Sequence, residues 1–177
     1  MEKRFDKNCQ RIVITGPECT GKSWLSYQLA RKTRQLWLPE YARYYIYYLN
    51  RDYSRKDVEH IAQMQIELEE GMAAVTPRVL FLDTGLIITK VWLEHVYGNS
   101  PSWLDEAIKN SHRYMHLLCY PDLPWHPDPL RENKDLRMYF FNWYEQEIKN
   151  YGFDYQIIKG DGDARLQSAL KVVRKIV

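Results

Sequence analysis

The residues with the clearest chemical potential lie between positions 16 and 23. They read Gly-Pro-Glu-Cys-Thr-Gly-Lys-Ser, which fits G-x-x-x-x-G-K-S, the pattern of a phosphate-binding loop (P-loop). Its glycines let successive backbone N–H groups point at one centre, and its lysine adds a mobile cation. The alternative is a glycine-rich turn without a ligand. We predict an ATP-binding site formed by Gly16, Pro17, Glu18, Cys19, Thr20, Gly21, Lys22 and Ser23.

Within this loop the last two residues have distinct predicted roles. Lys22 can span the β- and γ-phosphates of the nucleotide, and the Ser23 hydroxyl can hold Mg²⁺. A second group that contacts the Mg²⁺ should be an acidic side chain at the end of a buried strand. Asp83 follows the apolar run 79–82 in the manner of a Walker B strand, so we predict it as that group. The alternative is that Asp83 only forms a turn.

A third acid, Glu40, follows the apolar run 36–38 and a proline. At the carboxyl edge of a parallel sheet it would lie across the crevice from the P-loop. There it could act as the catalytic base, or anchor the hydroxyl group that accepts a phosphoryl group. The alternative is an acid that stabilises the N-terminus of the helix predicted from Tyr41.

Residues 120–132 contain four prolines, which exclude a regular helix or a central strand. This segment follows the fourth predicted strand, so it should emerge at the ligand-binding edge of the sheet. We predict a lid at about residues 120–137. Arg131 and Arg137 could move onto the transferred phosphoryl group when it closes. The alternatives are a surface connector and arginines in solvated or surface ion pairs.

Four tyrosines, at positions 41, 44, 45 and 48, have the spacing of one helix face. We expect this face to pack in the core with its hydroxyls hydrated, and the alternative is that it stacks a heterocycle. Tyr41 and, on the same helix, Arg43 are candidate substrate contacts. Trp92 is a further candidate, as a pocket wall or as part of the core.

These residues require an α/β framework. Apolar runs of strand length alternate with helical stretches, the pattern of a parallel sheet covered on both faces, here with five strands. The strands are predicted at 11–15, 35–38, 78–83, 114–119 and 154–158. Helices are predicted at 22–34, 41–49, 54–75, 86–97, 102–110, 135–150 and 164–176. Ser54 with Asp57 resembles a capping box.

Length and composition limit the number of domains and the classes of partner and compartment to be expected. The 177 residues fit one domain, spanning 1–177, and the net charge of +2 comes from interspersed charges that do not suggest a nucleic-acid partner. Three widely spaced cysteines suggest neither a disulfide framework nor a zinc site, which favours a cytoplasmic setting. Residues 1–8 lack the apolar core of a signal peptide, and no apolar run approaches 18 residues, so we expect no membrane association.

Taken together, these motifs resemble the ribosylnicotinamide kinase (NadR-type) domain, a P-loop NTPase/kinase fold of NAD metabolism. The resemblance covers nearly the whole chain. It rests on residues 14–23, Pro39-Glu40-Tyr41-Ala42-Arg43, residues 61–65, Phe81-Leu82-Asp83-Thr84, Thr89-Lys90-Val91-Trp92, Pro124-Trp125, Asp128-Pro129-Leu130-Arg131 and Arg137. It implies a closing lid and, with ATP and Mg²⁺, phosphoryl transfer to the ribose 5′-hydroxyl of ribosylnicotinamide.

The chain departs from the family pattern near the substrate. Where family members have a Trp and a Tyr that sandwich the pyridine ring, this chain has Pro39 and Gly71, and Gly85 replaces a second acid after Asp83-Thr84. The sequence therefore predicts an ATP-dependent transferase acting on a nucleoside-like small molecule, with ribosylnicotinamide as the leading acceptor. The alternative is an ATP-binding regulatory switch without a small-molecule acceptor. The oligomeric state is not predicted.

Overall fold

Five parallel strands form the centre of the structure, a computed structural model that describes residues 9–76, 78–111, 114–129 and 131–176. The strands are β1 Gln10–Thr15, β2 Leu36–Leu38, β3 Val79–Asp83, β4 Tyr114–Cys119 and β5 Asp154–Ile158. Their order in the sheet is β2-β3-β1-β4-β5, and every neighbouring pair is parallel. The predicted five-stranded parallel sheet is confirmed. The predictions for Met1 to Asn8 and for Leu130 of the lid lie outside the described residues.

Seven α-helices are described, each close to a predicted helix. They are α1 Lys22–Thr33, α2 Tyr41–Tyr48, α3 Arg55–Val75, α4 Leu86–Tyr97, α5 Ser102–Lys109, α6 Arg137–Asn150 and α7 Gly162–Val173. A 3-10 turn, Lys134–Leu136, precedes α6, where the sequence had predicted one continuous helix. Among the described residues, no helix combines the length and apolar character needed to cross a lipid bilayer.

The helices cover both faces of the sheet. On one face, α1 and α7 pack on β1, β3 and β4 around a buried cluster that includes Leu25 and Leu29 of α1 and Leu166 and Leu170 of α7. On the other face, α3, α4, α5 and α6 bury a second apolar cluster. The sheet thus lies between two layers of helices. Because all its strands are parallel, their carboxyl ends meet at one edge of the sheet.

The link between α2 and α3 is built around the buried carboxylate of Asp57. Ser54 donates its backbone N–H to this carboxylate at 2.8 Å, which confirms the predicted capping box. Arg51 donates two hydrogen bonds to it at 2.8 Å, and the Tyr45 hydroxyl donates one at 2.7 Å. These donors hold the pKa of Asp57 far below its usual range. The contact with Tyr45 fastens α2 to the start of α3.

The tyrosine-rich helix α2 does not pack in the core, so that expectation from the sequence was wrong. None of its eight described residues is buried, and Tyr44, Tyr47 and Tyr48 are 57%, 70% and 72% exposed. Tyr41, Tyr44, Tyr45 and Tyr48 line an open surface groove together with Leu49. The helical period correctly predicted one aromatic face, but no further layer of the fold covers that face within the described part of the chain.

Candidate active site

The P-loop connects β1 to α1 at the carboxyl edge of the sheet. Gly16 has φ of 147°, and a Cβ atom placed there would lie 2.8 Å from the carbonyl oxygen of Cys119, so only glycine fits. Gly21 has φ of 73° and occupies the N-cap position of α1. Cys19 also adopts a positive φ, 55°, which is uncommon for a residue with a side chain. These backbone angles curl the loop around the N-terminus of α1, an arrangement suited to anions.

The side chains of Thr20 and Lys22 support this curl from inside the loop. The Thr20 hydroxyl and the Lys22 ammonium both donate hydrogen bonds to the carbonyl oxygen of Pro17, at 2.8 Å each. Thr20 is buried, so its bond belongs to the framework of the loop. Lys22 is held within the P-loop, where a phosphate oxygen would compete with the carbonyl for the ammonium group.

Asp83 ends β3 beside the P-loop strand, in register with Ile14 of β1. Only 4% of Asp83 is exposed, and this burial raises the pKa of its carboxyl group. Hydrogen bonding from the Ser23 side chain and the Glu40 backbone, together with the charge of Lys22, opposes that rise. Its Oδ1 atom is buried and lacks a hydrogen-bond partner among the described residues.

An unpartnered buried carboxylate oxygen beside a serine hydroxyl fits a divalent cation. Mg²⁺ is usually held in proteins by one or two such oxygens, with water and substrate phosphates completing its coordination. The described residues contain no cluster of three or more His, Cys, Asp or Glu side chains that could bind a metal without such help. Asp83 and Ser23 are the residues that could hold the ion when a nucleotide is present.

Glu40 occupies the N-cap position of α2, yet its side chain makes no capping hydrogen bond. Glu40 therefore does not cap the helix through a hydrogen bond, and the alternative that its charge favours the helix dipole stays open. Burial raises the pKa of Glu40, and the negative charges of Asp83 and Glu18 raise it further. The positive charges of Lys22 and Arg43 oppose the rise. Glu40 therefore belongs to the same electrostatic site as the P-loop lysine and Asp83, at the edge of the sheet expected from its place after the second strand.

The proline-rich segment lies over the P-loop. Its described residues from 120 to 133 form neither helix nor strand, as predicted. The Glu18 carboxylate accepts hydrogen bonds from the backbone N–H groups of Glu132 at 3.3 Å and Asn133 at 3.0 Å. Cys19 Sγ is paired with both the N–H and the carbonyl group of His126, at 3.4 Å each. We call residues 120–137 the lid, as in the sequence analysis.

The two predicted lid arginines contact the lid itself. Arg131 donates to the carbonyl oxygen of His126 at 2.6 Å, and Arg137 donates to that of Leu123 at 2.7 Å. These bonds give the lid internal structure in the absence of regular secondary structure. A contact of either arginine with a transferred phosphoryl group stays a prediction.

The three predicted substrate residues are not gathered around one point. Arg43 forms an ion pair with Asp128 of the lid. The Tyr41 hydroxyl is 3.4 Å from His60 Nε2, in the groove along α2. Trp92 of α4 donates its indole N–H to the Tyr53 hydroxyl at 3.3 Å, with the two rings edge to face at 4.9 Å.

The ring-stacking position assigned to Gly71 lies far from this edge of the sheet. Gly71 is in the last turns of α3, and its neighbour Glu69 forms a 2.8 Å ion pair with Arg11, near the beginning of β1. The P-loop follows the opposite end of β1. Burial and, after it, the nearby charge of Glu132 in the lid raise the pKa of Tyr53, so this aromatic residue lies close to the lid.

Arg165 is a residue of the site that the sequence analysis missed. Its side chain is 1% exposed and donates to the carbonyl oxygens of Gly160 at 2.6 Å, Thr20 at 2.8 Å and Tyr120 at 3.1 Å. It also forms an ion pair with Asp122. One guanidinium group thus joins α7, the P-loop and the start of the lid. A signal was present, because Arg165 precedes the buried Ala169 and Val173 by four and eight residues.

The fold is shared with solved structures of low sequence identity. The NadR protein in complex with NR superposes with a TM-score of 0.80 at 20% identity, over 95% of this chain and 51% of that one. The NadR protein in complex with NAD and AMP-PNP superposes with a TM-score of 0.75 at 19% identity, over 95% of this chain and 49% of that one. Thymidylate kinase from Ehrlichia chaffeensis superposes with a TM-score of 0.65 at 12% identity, over 94% of this chain and 99% of that one. The resemblance predicted from the motifs is confirmed at the level of the P-loop kinase fold.

This chain spans about half the length of the NadR proteins that it matches. Among curated proteins no significant sequence match is found. A family model described as an AAA domain matches residues 11–165, which is most of the chain and includes the P-loop, Glu40, Asp83 and the lid. The chain belongs to this AAA domain family.

Proposed function

We propose that this protein is an ATP-dependent kinase that transfers the γ-phosphoryl group to a hydroxyl group of a nucleoside-like small molecule. The observation that carries the proposal is the convergence of Lys22, Asp83 and Glu40 at one edge of the sheet, where each changes the electrostatic environment of another. A P-loop alone would bind a nucleotide. A partly buried carboxylate across from it supplies the group that a hydroxyl acceptor needs.

In the proposed reaction, the P-loop amides and Lys22 bind the β- and γ-phosphates. Mg²⁺, held by Ser23 and Asp83, would neutralise part of the phosphate charge. Glu40 orients the acceptor hydroxyl and takes its proton. The hydroxyl oxygen forms a bond to the γ-phosphorus as the bond from that phosphorus to the β–γ bridging oxygen breaks, and ADP leaves. The raised pKa of Glu40 makes it a better proton acceptor than an exposed glutamate.

Ribosylnicotinamide is the acceptor that we propose first. Support comes from the motif resemblance and from the similarity in fold to a NadR protein in complex with NR, and the adenine nucleotide is supported by the complex with AMP-PNP. Tyr53 and Trp92 would provide an aromatic wall for the heterocycle in place of a sandwich at positions 39 and 71. The lid, with Glu132 beside Tyr53, would close over that wall.

The test is turnover with a panel of acceptors. Purified protein is incubated with Mg·ATP and, separately, ribosylnicotinamide, other nucleosides and shikimate, and both ADP and the phosphorylated acceptor are measured. We expect ADP release to depend on one nucleoside class and to match product formation one to one. Lys22→Ala should lower that rate roughly 100-fold or more, because it removes a charge that stabilises the transferred group. Equal ADP release with and without every acceptor would contradict the kinase proposal and favour a regulatory switch.

A further inference from the structure

We infer that Glu18 is a positioning residue whose carboxylate holds the lid onto the P-loop and so links the nucleotide site to helix α2. The part of this inference that concerns the acceptor rests on the proposed kinase function. Its structural content, that one acidic side chain of the P-loop anchors the lid, stands on contacts between described residues.

The Glu18 side chain is unsuited to a phosphate group. Its carboxylate would repel phosphate oxygens, although its backbone N–H can still contribute to the loop. The structure gives this carboxylate a different partner, because its two oxygens accept the N–H groups of Glu132 and Asn133. Both N–H groups lie just before the 3-10 turn that leads into α6, where backbone donors lack intrahelical acceptors. The carboxylate thus satisfies two backbone donors of the lid.

A second contact comes from the next residue of the P-loop. Cys19 Sγ receives the N–H of His126 and donates to the carbonyl oxygen of the same residue, each at 3.4 Å. Hydrogen bonds to sulfur are weak, so these two bonds orient the lid against the P-loop but add little to the stability of the contact. Two consecutive P-loop side chains therefore hold the lid at two places along its length. A change in the conformation of the loop would be transmitted to both.

A third contact extends the connection to α2. Arg43, three residues after Glu40, forms an ion pair with Asp128, which lies in the lid between the residues held by Cys19 and by Glu18. The lid is therefore joined to the P-loop on one side and to the helix that follows Glu40 on the other. Releasing the lid at Glu18 should loosen the acceptor side of the site while leaving the phosphate cradle itself intact.

The test changes the charge and the length of the Glu18 side chain in two separate variants. Glu18→Gln keeps the length of the side chain but removes the charge, and Glu18→Asp keeps the charge but shortens the side chain by one methylene group. Glu106→Gln is the matched control, because Glu106 is exposed on α5. Hydrogen–deuterium exchange is measured on peptides that contain the amides of Glu132 and Asn133. We expect exchange there to be roughly 10-fold faster or more in both Glu18 variants and unchanged in the control.

Binding and turnover measurements then show what the anchor does. For both Glu18 variants we expect the Kd for Mg·ATP, measured by calorimetry, to change by a smaller factor than the KM for the acceptor, because Glu18 contributes to the ATP site through its backbone N–H. With the acceptor found in the panel, KM for that acceptor should rise roughly 10-fold while kcat changes less. A merely structural role would lower the thermal midpoint and raise exchange across the whole chain.

Two results would overturn the inference. One is unchanged exchange at residues 132 and 133 in both Glu18 variants, and the other is faster exchange with no change in the KM of the acceptor. The exchange measurement needs no turnover, so it decides whether Glu18 anchors the lid even where no acceptor is phosphorylated. Failure of the acceptor panel would contradict the proposed function, while failure of the exchange test would contradict this inference alone.

Discussion

Replacing Arg165 by methionine should destabilise both the fold and the nucleotide site. Arg165 is fully buried and makes hydrogen bonds to Gly160, Thr20 and Tyr120 and an ion pair with Asp122. Methionine matches the aliphatic part of the arginine side chain and has no hydrogen-bond donor, so Arg165→Met keeps part of the packing and removes every one of these bonds. Three carbonyl oxygens and one carboxylate then lose their donor.

The magnitude follows from these four lost partners. A carbonyl left without a donor costs about 1 kcal/mol when water can partly replace the donor, which gives about 3 kcal/mol for three. The ion pair adds less than a fully buried pair would, because the Asp122 side chain is 29% exposed and can be hydrated. We expect the free energy of unfolding to fall by about 3–5 kcal/mol, a large part of the 5–15 kcal/mol of a typical domain.

Urea unfolding, followed by circular dichroism, measures this loss. The control is Arg174→Met, at the exposed end of the same helix, which should change the free energy of unfolding by less than about 0.5 kcal/mol. Because Arg165 also holds the Thr20 carbonyl of the P-loop, the Kd for Mg·ATP should rise roughly 10-fold at a temperature where the variant is folded. A loss of stability below about 1 kcal/mol would refute the reasoning that these bonds hold the loop.

Three further predictions concern single side chains. Asp83→Asn should raise the Mg²⁺ concentration needed for half-maximal turnover roughly 10-fold, and an unchanged Mg²⁺ titration would exclude Asp83 as a metal ligand. Glu40→Gln should lower kcat roughly 100-fold or more with the Kd for Mg·ATP unaltered, and full turnover would remove Glu40 as the base. His116 is fully buried and its pKa is lowered to about 3, so the unfolded chain takes up a proton that the folded chain does not as the pH falls below about 6.5. The free energy of unfolding therefore falls by up to about 4–5 kcal/mol as the pH drops from about 6.5 to 3. Urea unfolding at several pH values should show a smaller fall for His116→Gln than for the parent protein. The control is His95→Gln, at an exposed histidine, which should behave like the parent.

The local parts of the site could be predicted from the sequence. The P-loop is eight consecutive residues whose glycines determine the backbone path, so its pattern carries nearly all the information. Glu40 and Asp83 could be predicted to meet it, because the carboxyl ends of parallel strands share an edge of the sheet. The capping box at Ser54 was equally local, since both partners lie within one helical turn.

The contacts of the lid could not be predicted in this way. Glu18 and Glu132 are separated by 114 residues, and neither residue type indicates that a carboxylate will bind lid amides. Arg165 looked like an ordinary solvated charge, although its spacing from Ala169 and Val173 placed it on the buried face of α7. Similarly, periodicity correctly predicted the aromatic face of α2 but could not show whether another layer covers it.

The amino-acid sequence alone specifies the fold class, the phosphate loop and the edge of the sheet at which the acids converge. These depend on short-range backbone preferences and on a general property of parallel sheets. The tertiary structure decided which long side chains connect the parts: Arg165 beneath the loop, Glu18 and Arg43 against the lid, and the tyrosines of α2 on the surface. Such contacts depend on how whole elements pack, because a long polar side chain takes whatever partner the assembled fold brings within its reach.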